Sequence, residues 1–443
     1  MTSAPARVPT GFQTGFSVRP DLVVEAAHAE DVRTAVADAA ARGLPVRVHA
    51  TGHGLSGAVE GGLLISTRRM DSVEIDPVRR TARIGAGVTW GQVIEAAAPH
   101  GLAPLNGSAP GVGAVSYTLG GGLPILAREF GYAADRVRSL DVVTADGALR
   151  HVSPHSEPEL FWALRGGGHR LGVVTRMEVD LVEVGRLYGG SIAFDGDGEG
   201  SGAGAGVGDR VIRRYLEWTR TVPDTLTSSL SALRFPDSPR LPEPMRGRYV
   251  ISVRVAYTGE TAGGERLVAP LRAIGPAVTD SLREMPYTDS HTIHNDPPFP
   301  HAYYGDAVVL GDLDAGRAVR TLELTGPKAP MMTVVQLNHL GGALAARPAV
   351  DNAVPYREAG FLLRLLSPLD GTDVASVRAL YAEVAGALAP LALGRSLNFS
   401  FGGGDRTEGF HDARTRQRLA GLVSRHDPAS LFGGSYGISR DGR

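Results

Sequence analysis

The sequence has no cysteine and only one lysine among its 443 residues. Without cysteine the chain cannot form disulfides, use a thiolate nucleophile, bind a metal through sulfur or hold a cofactor by a thioether. The single lysine, Lys328, lies in the loop-like stretch TGPKAP, so a Schiff-base mechanism would depend on it alone. The chemistry of this chain must therefore come from other residue types or from a bound cofactor.

Strong net charge and long apolar runs are missing as well. A formal net charge of −2 gives no reason to expect nucleic acid or an anionic membrane as a partner. No uninterrupted apolar run reaches the roughly 18 residues of a membrane-spanning helix, and the first stretch, MTSAPARVPTGF, lacks the apolar centre of a signal peptide. We therefore expect a cytoplasmic protein that is long enough for two domains with a sizeable core.

Short strands alternate with helices between residues 21 and 184. The helix predicted in EDVRTAVADAAARG places Val32 and Val36 on one face and ends at Gly43. SVEID and TARIGAG predict one hairpin, and Asp146–Gly147 predicts the turn of another. This half of the chain is therefore expected to mix helices and short strands.

The pattern changes after residue 194. Glycine occupies nearly every second place in DGDGEGSGAGAGVGD, residues 195–209, which predicts a mobile surface loop. Residues 210–394 combine helices such as DRVIRRYLEWTRTVP with strands such as RYVISVRVAYTG, a mixture typical of an antiparallel sheet with helices on one face. RSLNFSFGGG predicts a strand, and DARTRQRLAGLVSRHDP predicts a helix that buries Leu419, Leu422 and Val423. The fold class is therefore expected to be α+β.

Three glycine-rich segments stand out in the first half: TGHGLSGAVEGG, NGSAPGVGAVSYTLGGG and RGGGHRLGVV. Such segments either form tight turns or let backbone amides approach a long ligand that carries phosphate groups. The G-x-G-x-x-G fingerprint between a first strand and its helix is absent, so classical nicotinamide binding is not expected. One histidine, His53, lies between two glycines of the first segment.

The stretch PVRVHATGHGLSG…GGLLIS resembles the phosphate loop of the flavoproteins grouped with vanillyl-alcohol oxidase. In the branch of berberine bridge enzyme and the hydroxynicotine oxidases this loop usually reads VRSGGHS, and its histidine is bonded to the 8α-methyl group of FAD. The resemblance therefore implies covalent FAD through His53. Bicovalent relatives have a cysteine where this chain has Ala109 in APGVG, which implies a single attachment.

The resemblance also covers ELFWALRGGGHRLGVVT, in which His169 and Arg170 depart from the usual pair, and the ending LNF…DPASLF. It implies a PCMH-type FAD-binding domain in two parts, residues 1–185 and the returning segment 395–443, around a substrate-binding domain, residues 186–394, with a helix-covered antiparallel sheet. The cofactor-binding residues carried over from the family are His49, Ala50, Thr51, Gly52, His53, Gly54, Ser108, Gly113, Tyr117, Gly120, Gly121, Gly122, Asp135, Gly172, Val174 and Asn398.

In this family a hydride passes from a substrate carbon to flavin N5, and in many relatives a tyrosine in a Y-x-N-Y stretch takes the substrate proton. Here that stretch is SLNF, so Ser396 stands in the place of the tyrosine. A serine without a basic partner is a poor base near neutral pH. This departure puts the usual mechanism in doubt and is the feature that favours a redox-silent alternative.

Six residues are candidates for the catalytic role. In MMTVVQLNHLGGAL, strand alternation places Val334, Gln336 and Asn338 on one face and His339 on the other. Gln336 and Asn338 could orient substrate or be exposed polar residues, and His339 could be a base or a structural histidine. The remaining candidates are Tyr117, in the second cofactor segment, and Tyr303 and Tyr304, in the predicted loop HTIHNDPPFPHAYYGD.

These features predict an FAD oxidase that acts on a C–OH, C–N or activated C–H bond of a small organic molecule and reduces O2 to H2O2. The alternatives are a dehydrogenase or oxidative cyclase of the same fold, or a redox-silent scaffold. A metal site is not expected, since His291 and His294 have no third ligand at a suitable spacing.

The substrate is predicted from the segments VVLGDL, FLLRLL and MPYT. Their composition suggests a mostly apolar pocket and favours a hydrophobic molecule, such as a natural-product intermediate, over a sugar or a charged acid. The protein is expected to act as a monomer or a homodimer.

Overall fold

The computed structural model describes residues 8–197, 206–239, 241, 243–403 and 408–433. In its first half the strands are β1 Val18–Arg19, β2 Leu22–Glu25, β3 Val46–His49, β4 Val59–Glu60, β5 Leu63–Ser66, β6 Val73–Asp76, β7 Thr81–Gly85, β8 Val137–Val143, β9 Leu149–Val152 and β10 Val173–Asp180. The helices are α1 Ala29–Arg42, α2 Trp90–Ala97, α3 Ala114–Leu119, α4 Ala127–Phe130 and α5 Pro158–Leu164.

The rest of the chain adds longer strands. They are β11 Arg186–Asp195, β12 Leu226–Arg234, β13 Tyr249–Tyr257, β14 Thr279–Asp280, β15 Arg283–Pro286, β16 Tyr303–Leu310, β17 Val334–His339, β18 Phe361–Pro368 and β19 Ala392–Gly394. The helices are α6 Val207–Thr219, α7 Thr261–Arg272, α8 Ala315–Thr325, α9 Val374–Leu388 and α10 Ala413–His426.

Two sheets organise the first part of the molecule. A parallel sheet has the strand order β2-β5-β3, and an antiparallel sheet has the order β6-β7-β10-β8-β9. Helix α1 contacts both sheets and buries Val32, Val36 and Ala39 in their common core. As predicted, it ends at Gly43, which has a φ of 63°. The strand β3 leads directly from this core into the loop that contains His53.

The second part is built on one large sheet with the order β14-β11-β13-β12-β17-β18-β16-β19, to which β15 is added beside β11. Alternation along each strand gives this sheet two different faces. Helices α6, α7, α8 and α9 cover one face, where Leu230, Val253, Leu337 and Leu363 are buried. The other face is left for the first part of the molecule, as the predicted helix-covered sheet requires. The predicted boundary at residue 185 falls between β10 and β11.

One helical stretch in the described part of the chain, Val374–Leu391, has the length and apolar composition of a possible membrane span. It contains α9, whose residues Val377, Val384 and Leu388 are fully buried in the core of the large sheet. Packing against α8 and β16 therefore accounts for the apolar side chains on its buried face.

The C-terminal segment returns to the first part of the molecule. Helix α10 contacts α5 and buries Leu419, Leu422 and Val423 in the core of the first part, as predicted. After it, the buried Asp427 carboxylate accepts hydrogen bonds from the backbone N–H groups of Leu431 (2.7 Å) and Phe432 (2.9 Å). The Leu431 carbonyl then accepts from the N–H of Val46 at 2.7 Å. The end of the chain thus supports the first residue of β3.

Two predictions of local structure are wrong. Residues 395–403 do not form a continuous strand, because β19 ends at Gly394 and a 3-10 helix covers Leu397–Phe399. Tyr303 and Tyr304 open strand β16 rather than lie in a loop, since the proline run ends at Pro300 and the residues after it are free to pair with β18.

The glycine-rich segment 195–209 was predicted as one loop. Its residues 198–205 lie outside the described part of the chain, so that portion stays a prediction. At its ends, Asp195 still belongs to β11 and Val207 already begins α6.

Asp427→Asn should destabilise the protein, because the amide can replace only one of the two acceptor oxygens and brings an N–H group towards a donor. Hydrogen bonds to a charged group contribute about 1.5–3 kcal/mol each, so we expect a loss of about that size in the free energy of unfolding. Urea denaturation measures it, with the exposed Asp71→Asn as the matched control. Equal stability of the two variants would contradict the role of Asp427.

Candidate functional site

A cleft of about 1630 Å³ separates the glycine-rich segments of the first part from the free face of the large sheet. Residues 46–56, 107–109 and 172–174 belong to one wall, and strands β12, β13, β17 and β18 contribute to the other. Pockets for one small molecule usually measure about 300–1,000 Å³. This cleft is therefore large enough for a long cofactor together with a second molecule.

The loop after β3 is fixed in place by the N-terminal segment. The Phe12 N–H donates to the Thr51 carbonyl at 3.0 Å, and the Gln13 N–H donates to the Gly52 carbonyl at 2.9 Å. Gly52 has a φ of +73°, and a Cβ atom there would lie 2.6 Å from the Gly11 Cα and from His49 Nε2. Only glycine fits this position.

His53 projects from this loop into the cleft. Its Nδ1 lies 2.9 Å from the Thr51 hydroxyl oxygen, which also accepts the Gly113 N–H at 3.3 Å. The Phe12 ring stacks on the imidazole with 3.9 Å between the ring centroids. Burial, and to a smaller extent nearby His301, lowers the pKa of His53 to about 4. The imidazole is therefore neutral at pH 7, with Nδ1 engaged and Nε2 available.

Tyr117 is placed in the cleft by helix α3. Its hydroxyl is buried and has no hydrogen-bond partner among the described residues. Its backbone carbonyl accepts a hydrogen bond from the Asn398 side chain at 2.9 Å, which ties the C-terminal segment to this wall. Burial raises the pKa of Tyr117 well above its usual value. The phenol is therefore protonated and can serve as a hydrogen-bond donor to a bound molecule.

The free face of the large sheet is polar where it borders the cleft. Ser229 pairs with both Arg254 and Asn338, while Gln336 pairs with Ser231 and Arg364, so these side chains share one face. Gln336 Nε2, Asn338 Oδ1 and Ser229 Oγ are buried without a hydrogen-bond partner in the described structure. Buried polar atoms of this kind usually mark a bound molecule or ordered water.

Four ionisable residues face each other beside this polar surface. Arg254 and Arg364 come from the sheet, and His294 and Asp296 come from the segment before β16. Burial and the charge of Arg254 lower the pKa of His294. Although burial alone would raise it, His294, the Ser108 hydroxyl and the arginines lower the pKa of Asp296. At pH 7 the group therefore contains a neutral imidazole, one carboxylate and two guanidinium groups.

The cleft brings together most of the residues predicted from the sequence. Tyr303 donates its hydroxyl to the His53 carbonyl at 2.7 Å, so it supports the loop. Gly113 and Gly120 lie behind the lining, in contact with Thr51 and Asn398 respectively. The predicted residues that line the cleft are His49, Ala50, Thr51, Gly52, His53, Gly54, Ser108, Tyr117, Gly172, Val174, Tyr303, Gln336, Asn338 and Asn398.

Two catalytic candidates lie outside the cleft. His339 is on the opposite face of β17, as alternation predicts, with Nε2 2.9 Å from Arg128 and its ring stacked on Phe361. Tyr304 is buried in the core beneath the sheet, near Tyr381. Both side chains have structural contacts there, and neither lines the cleft.

Three predicted cofactor residues also fail to reach the lining. The Asp135 carboxylate accepts hydrogen bonds from Arg357 and, at 2.7 Å, from Asn352. Gly121 and Gly122 pack against Val354 and the Tyr117 ring behind the cleft. These residues lie behind the second glycine-rich segment, which they support, and do not face the cleft.

The sequence interpretation missed Arg254, Arg364 and Asp296. Arg254 and Arg364 are each flanked by apolar residues, in VISVRVAY and FLLRLL, and that alternation was the available signal. Of the segments expected to give an apolar pocket, only Arg364, Leu365 and Leu366 reach the cleft among the lining residues found. The segments that suggested an apolar pocket therefore contribute little of the lining of this wall.

The geometry suits FAD. The first wall offers a glycine-rich loop, a neutral imidazole and buried polar atoms of His49 and Tyr117 that have no described partner. Such a surface can contact phosphates through amides and a flavin ring through polar side chains. No group of three metal-ligating side chains occurs within the described residues. The first wall of the cleft thus offers the kinds of contact that FAD would need.

Comparisons with known proteins also point to FAD as the cofactor. Residues 20–153 match the family described as FAD binding domain. The chain is 32% identical over 288 residues to (R)-6-hydroxynicotine oxidase of Paenarthrobacter nicotinovorans, covering 61% of this chain and 56% of that protein. A FAD-dependent monooxygenase of Fusarium proliferatum is 37% identical over 178 residues, which is 34% of its length. These alignments thus span less than two thirds of the relatives.

Solved structures extend the likeness of fold to nearly the whole chain. Xylooligosaccharide oxidase from Myceliophthora thermophila has a TM-score of 0.82 at 21% identity, covering 97% of this chain and 94% of its own. 6-Hydroxy-D-nicotine oxidase from Arthrobacter nicotinovorans has a TM-score of 0.78 at 24% identity, covering 97% and 95%. Residues 20–153 therefore match an FAD binding domain, and the chain as a whole has the fold of these oxidases.

Gly52→Ala should lower the FAD content of the purified protein, because the added methyl group meets Gly11 and His49 and the backbone angle is strained. We expect most of the bound flavin to be lost while the circular dichroism spectrum is kept. The matched control is Gly421→Ala in α10, where an added Cβ meets nothing within 4 Å. Full flavin content in Gly52→Ala would show that the loop geometry does not matter for binding.

Proposed function

We propose that the protein is an oxidase whose FAD is attached covalently through His53 alone. The observation that carries this proposal is the state of His53: a neutral imidazole in the cleft wall, stacked on Phe12, with Nδ1 beside Thr51 and Nε2 available. In the tautomer whose Nδ1–H donates to the Thr51 hydroxyl oxygen, Nε2 carries the free lone pair that can bond to the flavin methyl group. The absence of cysteine leaves His53 as the single attachment point that the family resemblance implies.

The reaction we assign converts a CH–OH or CH–NH group, or an activated C–H bond, to the oxidised product with release of H2O2. When bound, FAD supplies the hydride acceptor and the route for the electron pair to O2. Gln336 and Asn338 present a buried N–H group and a buried carbonyl oxygen that can orient the substrate. Tyr117 can donate a hydrogen bond from the opposite wall.

The substrate proton needs an acceptor, and Ser396 is not among the residues that line the large cleft. We assign this role to the His294–Asp296 pair. His294 Nδ1 is buried with no described partner, and Asp296 is held by the Ser108 hydroxyl. At pH 7 the imidazole of His294 is unprotonated, because burial and the charge of Arg254 lower its pKa. The negative charge of Asp296 favours the imidazolium that forms on proton transfer.

Denaturing the yellow protein in acid tests the attachment. We expect the washed wild-type pellet to keep its flavin fluorescence and an intact mass increased by one FAD. His53→Ala should lose both because the only attaching nitrogen is gone. His151→Ala, which removes an exposed histidine of β9, is the matched control and should stay yellow. Free FAD in the wild-type supernatant would contradict the covalent link.

Electron transfer to oxygen is tested separately, with a panel of alcohols and amines. An oxidase should bleach its flavin absorbance near the visible maximum under anaerobic conditions and produce one H2O2 for each substrate oxidised in air. Bleaching without peroxide would show that the protein is a dehydrogenase and not an oxidase.

A further inference from the structure

The polar wall of the cleft carries more positive than negative charge. Arg254 and Arg364 face the same space, and their charges interact with each other and with Asp296. Asp296 is the one carboxylate of this group, while His294 is neutral there. Two guanidinium groups and one carboxylate leave an excess of one positive charge at the polar wall. A charge excess in a cleft favours a ligand of the opposite sign.

The two arginines are held in different ways. Arg364 donates a hydrogen bond to the Gln336 side chain at 3.2 Å and lies over the Phe399 ring, with 3.8 Å from its guanidinium carbon to the ring centroid. These contacts orient the guanidinium without neutralising it. Arg254 has no hydrogen bond or ion pair within 4 Å in the described part of the chain. Its donors are therefore free to bind a molecule in the cleft.

Placing these guanidinium groups away from bulk water has a cost. Burial lowers the pKa of Arg364 to about 10 and also lowers the pKa of Arg254, yet both remain charged at pH 7. A partly buried charge is usually compensated by a partner of opposite sign. Arginine binds carboxylates especially well because its planar donors match two oxygen atoms.

We propose that the substrate carries a carboxylate group that binds between Arg254 and Arg364, while Gln336, Asn338 and Ser229 bind its uncharged polar groups. This inference rests on the proposed function, because it names the substrate class of the same site. It replaces the apolar substrate expected from the sequence.

The other anion that could explain the arginines is the FAD pyrophosphate. The glycine-rich loop at Thr51–Gly54 offers amides for phosphate on the first wall, whereas Arg254 and Arg364 extend from the sheet opposite. The carboxylate therefore belongs to the second molecule. The experiment below separates the two sources.

Flavin-loaded protein is titrated with benzoate and with the isosteric neutral amide benzamide, and binding is followed by the flavin difference spectrum and by calorimetry. We expect benzoate to bind at least about 10-fold more tightly than benzamide. Arg254→Met and Arg364→Met should each weaken benzoate about 10- to 100-fold, the range of a lost charge-assisted hydrogen bond, and leave benzamide unchanged. Arg234→Met, at the exposed end of β12, is the matched control.

Three results would overturn the proposal: equal affinity for benzoate and benzamide, unchanged benzoate affinity in both arginine variants, or a lower FAD content instead of weaker benzoate binding in those variants. The third result would assign the guanidinium groups to the cofactor phosphates. Binding is measured without turnover, so a failed oxidase assay leaves this result readable and refutes only the proposed reaction.

Discussion

The alternation of side chains along the large sheet is the constraint on which the rest of the structure depends. Because four helices cover one face, residues such as Leu230, Val253 and Leu337 must point towards them. The residues between them, including Ser229, Arg254 and Asn338, then have to face the opposite side. A slip of one residue in any central strand would bury arginine in the core and expose leucine to the cleft.

The first wall depends on a different kind of constraint. The loop after β3 is irregular, and its carbonyl groups are satisfied by the N-terminal segment through Phe12 and Gln13. The C-terminal segment supports the start of β3 through Leu431. Parts of the chain separated by some 400 residues therefore meet to place one imidazole. This explains why the C-terminal segment completes the first part of the molecule after the large sheet has been formed.

Much of this arrangement could be predicted from the sequence. Helix α1, its end at Gly43 and the two faces of β17 follow from local periodicity. The resemblance to flavoproteins pointed to the His49–Gly54 loop, Tyr117 and Asn398, all of which line the cleft. Asp135 was also predicted from the resemblance, but it does not line the cleft. Its carboxylate contacts Arg357 and Asn352, which come from a distant segment, and a local motif cannot reveal such contacts.

The charged residues of the polar wall could not be found in the same way. Arg254, Asp296 and Arg364 are far apart in sequence and meet only through the order of strands in the sheet. Local composition around Arg364 is leucine-rich, which suggested an apolar pocket, although alternate residues of that strand point to opposite sides. The tertiary structure decides which of the two faces of such a strand can contact a ligand.

The most direct test of the central claim is a crystal structure of the flavin-loaded protein. We predict continuous electron density between His53 Nε2 and the flavin, with the ring system lying between the first wall and the side chains of Gln336 and Asn338. Density that breaks at His53, or FAD bound away from this cleft, would contradict the account.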